Sequence, residues 1–261
     1  MAPLHKVAVI QLQPKDVALE ENFAKAEAYI REAAAQGADL AVLPEYHLTS
    51  WCPEHPDFVA SCVTSAPYLA RYQSLARALA INIVPGTICE VLPSPSASSK
   101  PEIRNMTYWI TPTGALAGTY QKKNLWHPER PHLTPGVHKP HAAFDTPLAL
   151  GARPLRAGLL VCWDLFFPEA FRALLADGAD LVVRVFLEAA VVTRAYENVC
   201  AVVFCNAGGL SQVAVPVDFG VLEVAEGVYK VREDMRGRGG SHVHVKGQRL
   251  LANTTIPRFS Q

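Results

Sequence analysis

No apolar run in the chain approaches the about 20 residues that a membrane-spanning helix needs. The opening MAPLHKVAVIQLQP has no long apolar stretch behind a basic start, so no secretory signal is expected. An excess of one charge is also lacking. The 24 Lys and Arg match 24 Asp and Glu, which removes any global attraction to nucleic acid or an anionic membrane surface. The one local bias lies between Lys230 and Gln261, where seven basic residues face two acidic ones; it reads as a solvated tail or an oligomer contact. No Cys-x-x-Cys pair occurs among the six cysteines, at 52, 62, 89, 162, 200 and 205. A chain of 261 residues can bury a sizeable core without staples, so reduced thiols in a cytoplasmic setting are expected. Each cysteine is first read as a small buried apolar residue. There is no repeat of solenoid period and no Gly/Ser linker, so residues 1–261 are read as one domain.

What is present is alternation. Half the residues are hydrophobic and 18% are charged, which excludes a wholly disordered chain. Val7–Gln11 is a short β-rich run. From Leu19, the residues Leu19, Phe23, Ala26, Ile30 and Ala33 mark one face of a helix that ends at Gly37. Asp39–Leu43 reads as a strand, Ala66–Ala80 as a helix and Ile81–Glu90 as a strand. Pro93–Pro101 is a polar, Pro-rich loop. Ile103–Thr111 and Ala115–Gln121 flank the turn TPTG as a hairpin. Leu155–Cys162, Leu181–Val185 and Ala201–Asn206 read as strands, and Pro168–Ala176 and Leu187–Val199 as helices. This order predicts α/β layers around one core.

In open α/β sheets, functional groups collect beyond the carboxyl ends of strands. Glu45 follows one predicted strand, Lys122 a second and Cys162 a third. A carboxylate, an amine and a thiol are the groups that thiol-based acyl transfer requires: a proton acceptor, a cation for the developing oxyanion and a nucleophile. Singly, each has a plainer reading as a cap, a surface cation or a core residue. The spacing alone reaches only a candidate cysteine hydrolase.

LPEY at 43–46, YQKKNLW at 120–126 and GLLVCWDLFFPEAFR at 158–172 are similar to the three signature stretches of the nitrilase, or carbon–nitrogen hydrolase, superfamily. RAYEN at 194–198 and CNAGG at 205–209 resemble its later landmarks. The resemblance implies a four-layer α-β-β-α sandwich. It implies hydrolysis of a non-peptide C–N bond in a small amide, carbamoyl amide or nitrile, with no metal and no organic cofactor. Position by position, it makes Cys162 the nucleophile, Glu45 the general base and Lys122 the oxyanion partner, with the backbone N–H of Trp163 as second donor. The Tyr-x-Lys pattern selects Lys122 over Lys123, which strand alternation sends to the other face. Glu129 takes a positioning role, and Tyr46 and Trp126 line the substrate pocket. Analogy also implies a homodimer or higher homo-oligomer.

Other residues carry weaker expectations. His127, His132, His138 and His141 lie in a Pro-rich stretch that fits no common metal-ligand spacing and read as loop-bracing. A His-assisted or metal hydrolase built on His127 and His132 is a third reading. The chain also departs from the family. DLVVRVF runs directly into LEAAVVTRAYEN, leaving almost no connection at 184–187, and the segment near 216–220 is short. From Arg236 to Gln261 nothing resembles the family. These departures predict a sandwich without some peripheral strands. They leave open an active variant with an open pocket, a poorly folding isoform, or a catalytically impaired binding or assembly module.

Overall fold

A computed structural model describes residues 5–92, 101–184, 200–205, 227–229 and 252–254. The first sheet is built on β1 (His5–Gln11), β2 (Leu40–Val42) and β3 (Asn82–Val84), which run parallel, with Val7 opposite Leu40 and Leu40 opposite Asn82. The crossovers are α1 (Leu19–Ala35) between β1 and β2, and α2 (Phe58–Thr64) with α3 (Ala66–Leu79) between β2 and β3. β4 (Ile88–Leu92), β5 (Glu102–Ile110) and β6 (Leu116–Gln121) extend the sheet antiparallel. Ile83 pairs with Ile110, and Ile88 with Met106. The near-constant register sets β3 and β4 end to end along one edge of β5, while β6 takes the other. The predicted strand Ile81–Glu90 is therefore two strands, interrupted at Pro85 and Gly86.

The second sheet has the order β10-β9-β8-β7. Its strands are β7 (Phe144–Leu150), β8 (Arg153–Leu159), β9 (Leu181–Arg184) and β10 (Ala201–Phe204). β8, β9 and β10 are parallel, and α4 (Pro168–Ala176) crosses from β8 to β9. Pro168 opens α4 where its missing N–H costs nothing.

Side-chain alternation separates the layers. Ala8 and Ile10 of β1 pack with Phe23, Ile30, Tyr72 and Leu75 of α1 and α3. Val7 and Val9 point the other way, into a core shared with Trp109, Leu155, Leu159 and Val182 from both sheets. Phe171 and Leu174 bring α4 into that core. Burial of each such side chain contributes about 1.5–3 kcal/mol. The layers are helix, sheet, sheet, helix.

β11 (Gly227–Tyr229) and β12 (Ala252–Thr254) pair antiparallel with β1, at Gln11–Val9 and Val7–His5 respectively. The C-terminal segment thus supplies a strand to the first sheet. The predicted helix Leu187–Val199, the connection beyond Arg184, the 216–220 segment and most of the C-terminal segment lie outside the described residues. Among the described residues, no helix is long and apolar enough to cross a membrane.

Candidate active site

Three strand ends and one short loop meet between the sheets. β2 runs out at Val42, and Leu43-Pro44 delivers Glu45. β6 delivers Lys122, whose backbone N–H donates to the Asn105 carbonyl of β5 at 3.0 Å. β8 leads through Leu160 and Val161 to Cys162, the first residue of a 3-10 turn, Cys162–Phe166. Tyr46 and Cys162 hold positive φ values of 54° and 44°. Non-glycine residues in that region store strain, and here it is stored on either side of the prospective chemistry.

Lys122 is the centre of charge. Its ammonium donates to Glu45 Oε1 at 2.9 Å and to Glu129 Oε1 at 2.6 Å. The Lys122 side chain is 0% exposed, Glu129 2% and Glu45 10%, so this is a buried ion triad and not a surface pair. Such a triad stands only if its remaining hydrogen-bonding sites are met. Both carboxylates have further donors: Asn105 Nδ2 donates to Glu45 Oε1 at 2.8 Å, and the Trp126 backbone N–H donates to Glu129 Oε2 at 2.7 Å. The Tyr46 hydroxyl donates to Glu129 Oε1, and its ring centroid lies 6.0 Å from Lys122 Nζ.

The Cys162 thiol hydrogen-bonds Glu45. Burial, then the Glu45 charge, push its pKa well above the ordinary thiol value, against the pull of Lys122. Burial also raises Glu45, opposed by Lys122 and reinforced by Glu129. Lys122 is desolvated, yet Glu45, Cys162 and Glu129 together hold its pKa above the usual lysine value. Burial and the Glu45 charge favour the protonated thiol over the thiolate, and Glu45 is placed to receive its proton.

Asp164 ties the two sheets together beneath the nucleophile. It is fully buried and accepts from Tyr120 Oη at 2.9 Å, from the Asn124 backbone and side-chain N–H groups at 2.9 Å each, and from the Val161 N–H at 3.0 Å. Sequence reasoning assigned no role to Asp164 or Asn105. The available signal for Asn105 was an amide at an inward position of β5, between Ile103 and Thr107.

The remaining expected positions are distributed as follows. Glu45, Lys122, Glu129 and Cys162 come together. Lys123 turns away, and its ammonium donates to the Lys139 carbonyl. Trp163 follows Cys162, with its ring against Phe166 at 4.4 Å and His127 at 5.8 Å. Trp126 is 41% exposed and enters the site through its main chain. Tyr46 is buried, and its hydroxyl is engaged by Glu129. His132 lies 3.8 Å from Glu54, and His141 stacks on Tyr120 at 5.6 Å. Among the described residues, no group of three or more His, Cys, Asp or Glu could hold a metal ion.

The carbon–nitrogen hydrolase family matches residues 6–237. This chain belongs to the carbon–nitrogen hydrolase family. A nitrilase of Pyrococcus abyssi is 31% identical over 202 residues, 74% of this chain and 71% of that protein. An N-carbamoylputrescine amidase of Arabidopsis thaliana is 28% identical over 63% of this chain and 52% of its own length, so the chain spans about half of that relative. An amidase from Nesterenkonia sp. AN1 is similar in structure, with a TM-score of 0.64 and 25% identity over 78% of this chain and 79% of the other. That structure is of a glutamate-to-glutamine mutant, in which acrylamide has added to the active-site cysteine. The four-layer fold is that of these amidases.

Proposed function

We propose that this carbon–nitrogen hydrolase cleaves a small amide, carbamoyl amide or nitrile through a covalent intermediate on Cys162. The observation that carries the reading is the Lys122 ammonium clasped by Glu45 and Glu129, with the Cys162 thiol hydrogen-bonded to Glu45.

For an amide, Cys162 Sγ attacks the carbonyl carbon as Glu45 takes the thiol proton. The carbonyl oxygen becomes an oxyanion facing Lys122 Nζ and the Trp163 backbone N–H. Glu45 returns the proton to the nitrogen, the C–N bond breaks, and ammonia or an amine leaves a thioester. Glu45 then takes a proton from water, whose oxygen attacks the thioester, and gives it to the departing sulfur. A nitrile would give a thioimidate by the same addition. Glu129 positions Lys122 and is itself fixed by Tyr46 and the Trp126 main chain. This route suits a protonated resting thiol, because proton removal is coupled to attack and no free thiolate is required.

The test is an amide and nitrile panel read by intact mass. An acyl adduct that maps to Cys162 and disappears in Cys162→Ala supports the proposal. A folded protein that turns over a panel member with no Cys162 dependence refutes it.

A further inference from the structure

Asn105 sits in β5, wholly buried, and is hydrogen-bonded to both Glu45 and Lys122. Its main chain and side chain serve different partners. The carbonyl accepts the Lys122 backbone N–H at 3.0 Å, and the side-chain amide donates to Glu45 Oε1 at 2.8 Å. Glu45 Oε1 therefore has two donors, Asn105 Nδ2 and Lys122 Nζ. Saturating one oxygen fixes the rotation of the carboxylate and leaves the other as the acceptor for a proton.

The amide comes at a cost to the fold. Among the described residues, Asn105 Oδ1 is buried with no hydrogen-bond partner. An unmet buried acceptor costs on the order of 1–3 kcal/mol. An apolar side chain of similar size would fill β5 without that cost, as Ile103 does two residues away. The donor it supplies to the buried Glu45 carboxylate accounts for an amide here.

We propose that Asn105 is a positioning residue for the Glu45 base: its side-chain amide holds the carboxylate ionised and oriented while its main chain holds Lys122. The inference rests on Glu45 acting as the base. The groups facing Glu45 are Lys122, Glu129, Cys162, Tyr46 and, from β4, Cys89. Of the neutral groups, Asn105 is the one seen to donate to the carboxylate without a proton that titrates. Its removal changes the acidity of Glu45 and adds no charge.

The experiment follows alkylation of Cys162 by iodoacetamide between pH 5 and 9, with the site mapped by peptide mass. Labelling needs no turnover. In the wild type, the rate rises through an acid limb set by Glu45. In Asn105→Ala, loss of a charge-assisted donor moves that limb up by about one pH unit, a tenfold slower reaction below it. Asn105→Asp preserves size and adds to Glu129 a further carboxyl group beside Glu45, so its limb moves up at least as far. A packing role alone predicts no shift of either limb. Circular dichroism establishes which variants fold; Asp, nearly isosteric, serves if Ala does not. Limbs that coincide with wild type in folded variants overturn the inference. Glu45→Gln in the same series separates the two claims. A limb lost in Glu45→Gln but unmoved in the Asn105 variants refutes Asn105 alone. A limb that survives Glu45→Gln refutes the base assignment and the inference with it.

Discussion

Replacing Gly86 with alanine would test how far the base depends on main-chain packing. Gly86 has φ of +60° in the break between β3 and β4. A Cβ there would lie 1.8 Å from the Pro44 carbonyl oxygen, 2.5 Å from its carbon and 2.8 Å from the Leu43 oxygen. All three are backbone atoms, so no side-chain rotation relieves the clash. Carbon–oxygen contacts relax near about 3.3 Å, so roughly 1.5 Å of separation must be created. Shared between the two segments, this moves the Pro44 peptide by about 0.7 Å, and Glu45 is the next residue. The left-handed backbone costs a further 1–2 kcal/mol or so for a side chain, and overpacking about 1–3 kcal/mol. Together about 2–5 kcal/mol lowers the melting temperature by roughly 5–20 °C. A displacement approaching 1 Å at a catalytic group costs on the order of 10²-fold in rate. We expect kcat/KM for the best panel substrate to fall about 30- to 100-fold. Gly178→Ala is the control. It also has positive φ, +80°, but its nearest neighbour is the flexible Arg156 side chain at 3.4 Å. It should lose stability and keep its rate. Calorimetry and steady-state hydrolysis of both variants decide the matter. The reasoning fails if Gly86→Ala loses no more rate than Gly178→Ala.

Two further outcomes follow from the same geometry. Lys122→Ala should abolish turnover and destabilise the fold by about 3–5 kcal/mol, because two buried carboxylates lose their cation; Lys123→Ala, which removes a bond to the Lys139 carbonyl and leaves the Lys122 cluster intact, should keep most activity. His47 is fully buried against the Tyr72 hydroxyl at 2.7 Å, and burial lowers its pKa to about 3. The unfolded chain, with a pKa near 6.5, binds a proton that the folded one refuses. The stability is complete above about pH 6.5 and falls by about 1.4 kcal/mol per pH unit towards pH 3. Urea unfolding at pH 7, 6 and 5 should show that slope reduced in His47→Leu, and parallel curves would count against it.

Elements with a long, regular period were legible. The stripe Leu19, Phe23, Ala26, Ile30 and Ala33 is the buried face of α1, and the Pro168 start and Ala176 end of α4 match the reading. The hairpin around TPTG is β5 and β6. Short elements were not legible. α2 buries only Phe58, Ser61 and Cys62, fewer than two turns of pattern. β7 carries Pro147 and exposes Asp145, Pro147 and Ala149, and with Thr146 at a buried position its hydrophobic alternation is faint in the sequence. β3 and β4 read as one strand because the break at Gly86 answers to Pro44, more than 40 positions earlier. The charged groups were read through signature stretches. Asn105 and Asp164 escaped because Glu45 lies 60 residues from the first, and Asn124 and Tyr120 lie 40 and 44 residues from the second, and polar side chains acquire meaning only from what faces them.

Glu45, Asn105 and Lys122 belong to one sheet and Cys162 to the other. The first sheet supplies acceptor and cation from the ends of β2 and β6, and the second supplies the Cys162 sulfur. The thiol and its partners meet where the two sheets face each other, with Asp164 as the fastening. Reactivity is thereby a property of the seam, and a substitution that slides one sheet against the other would part sulfur from base without touching either.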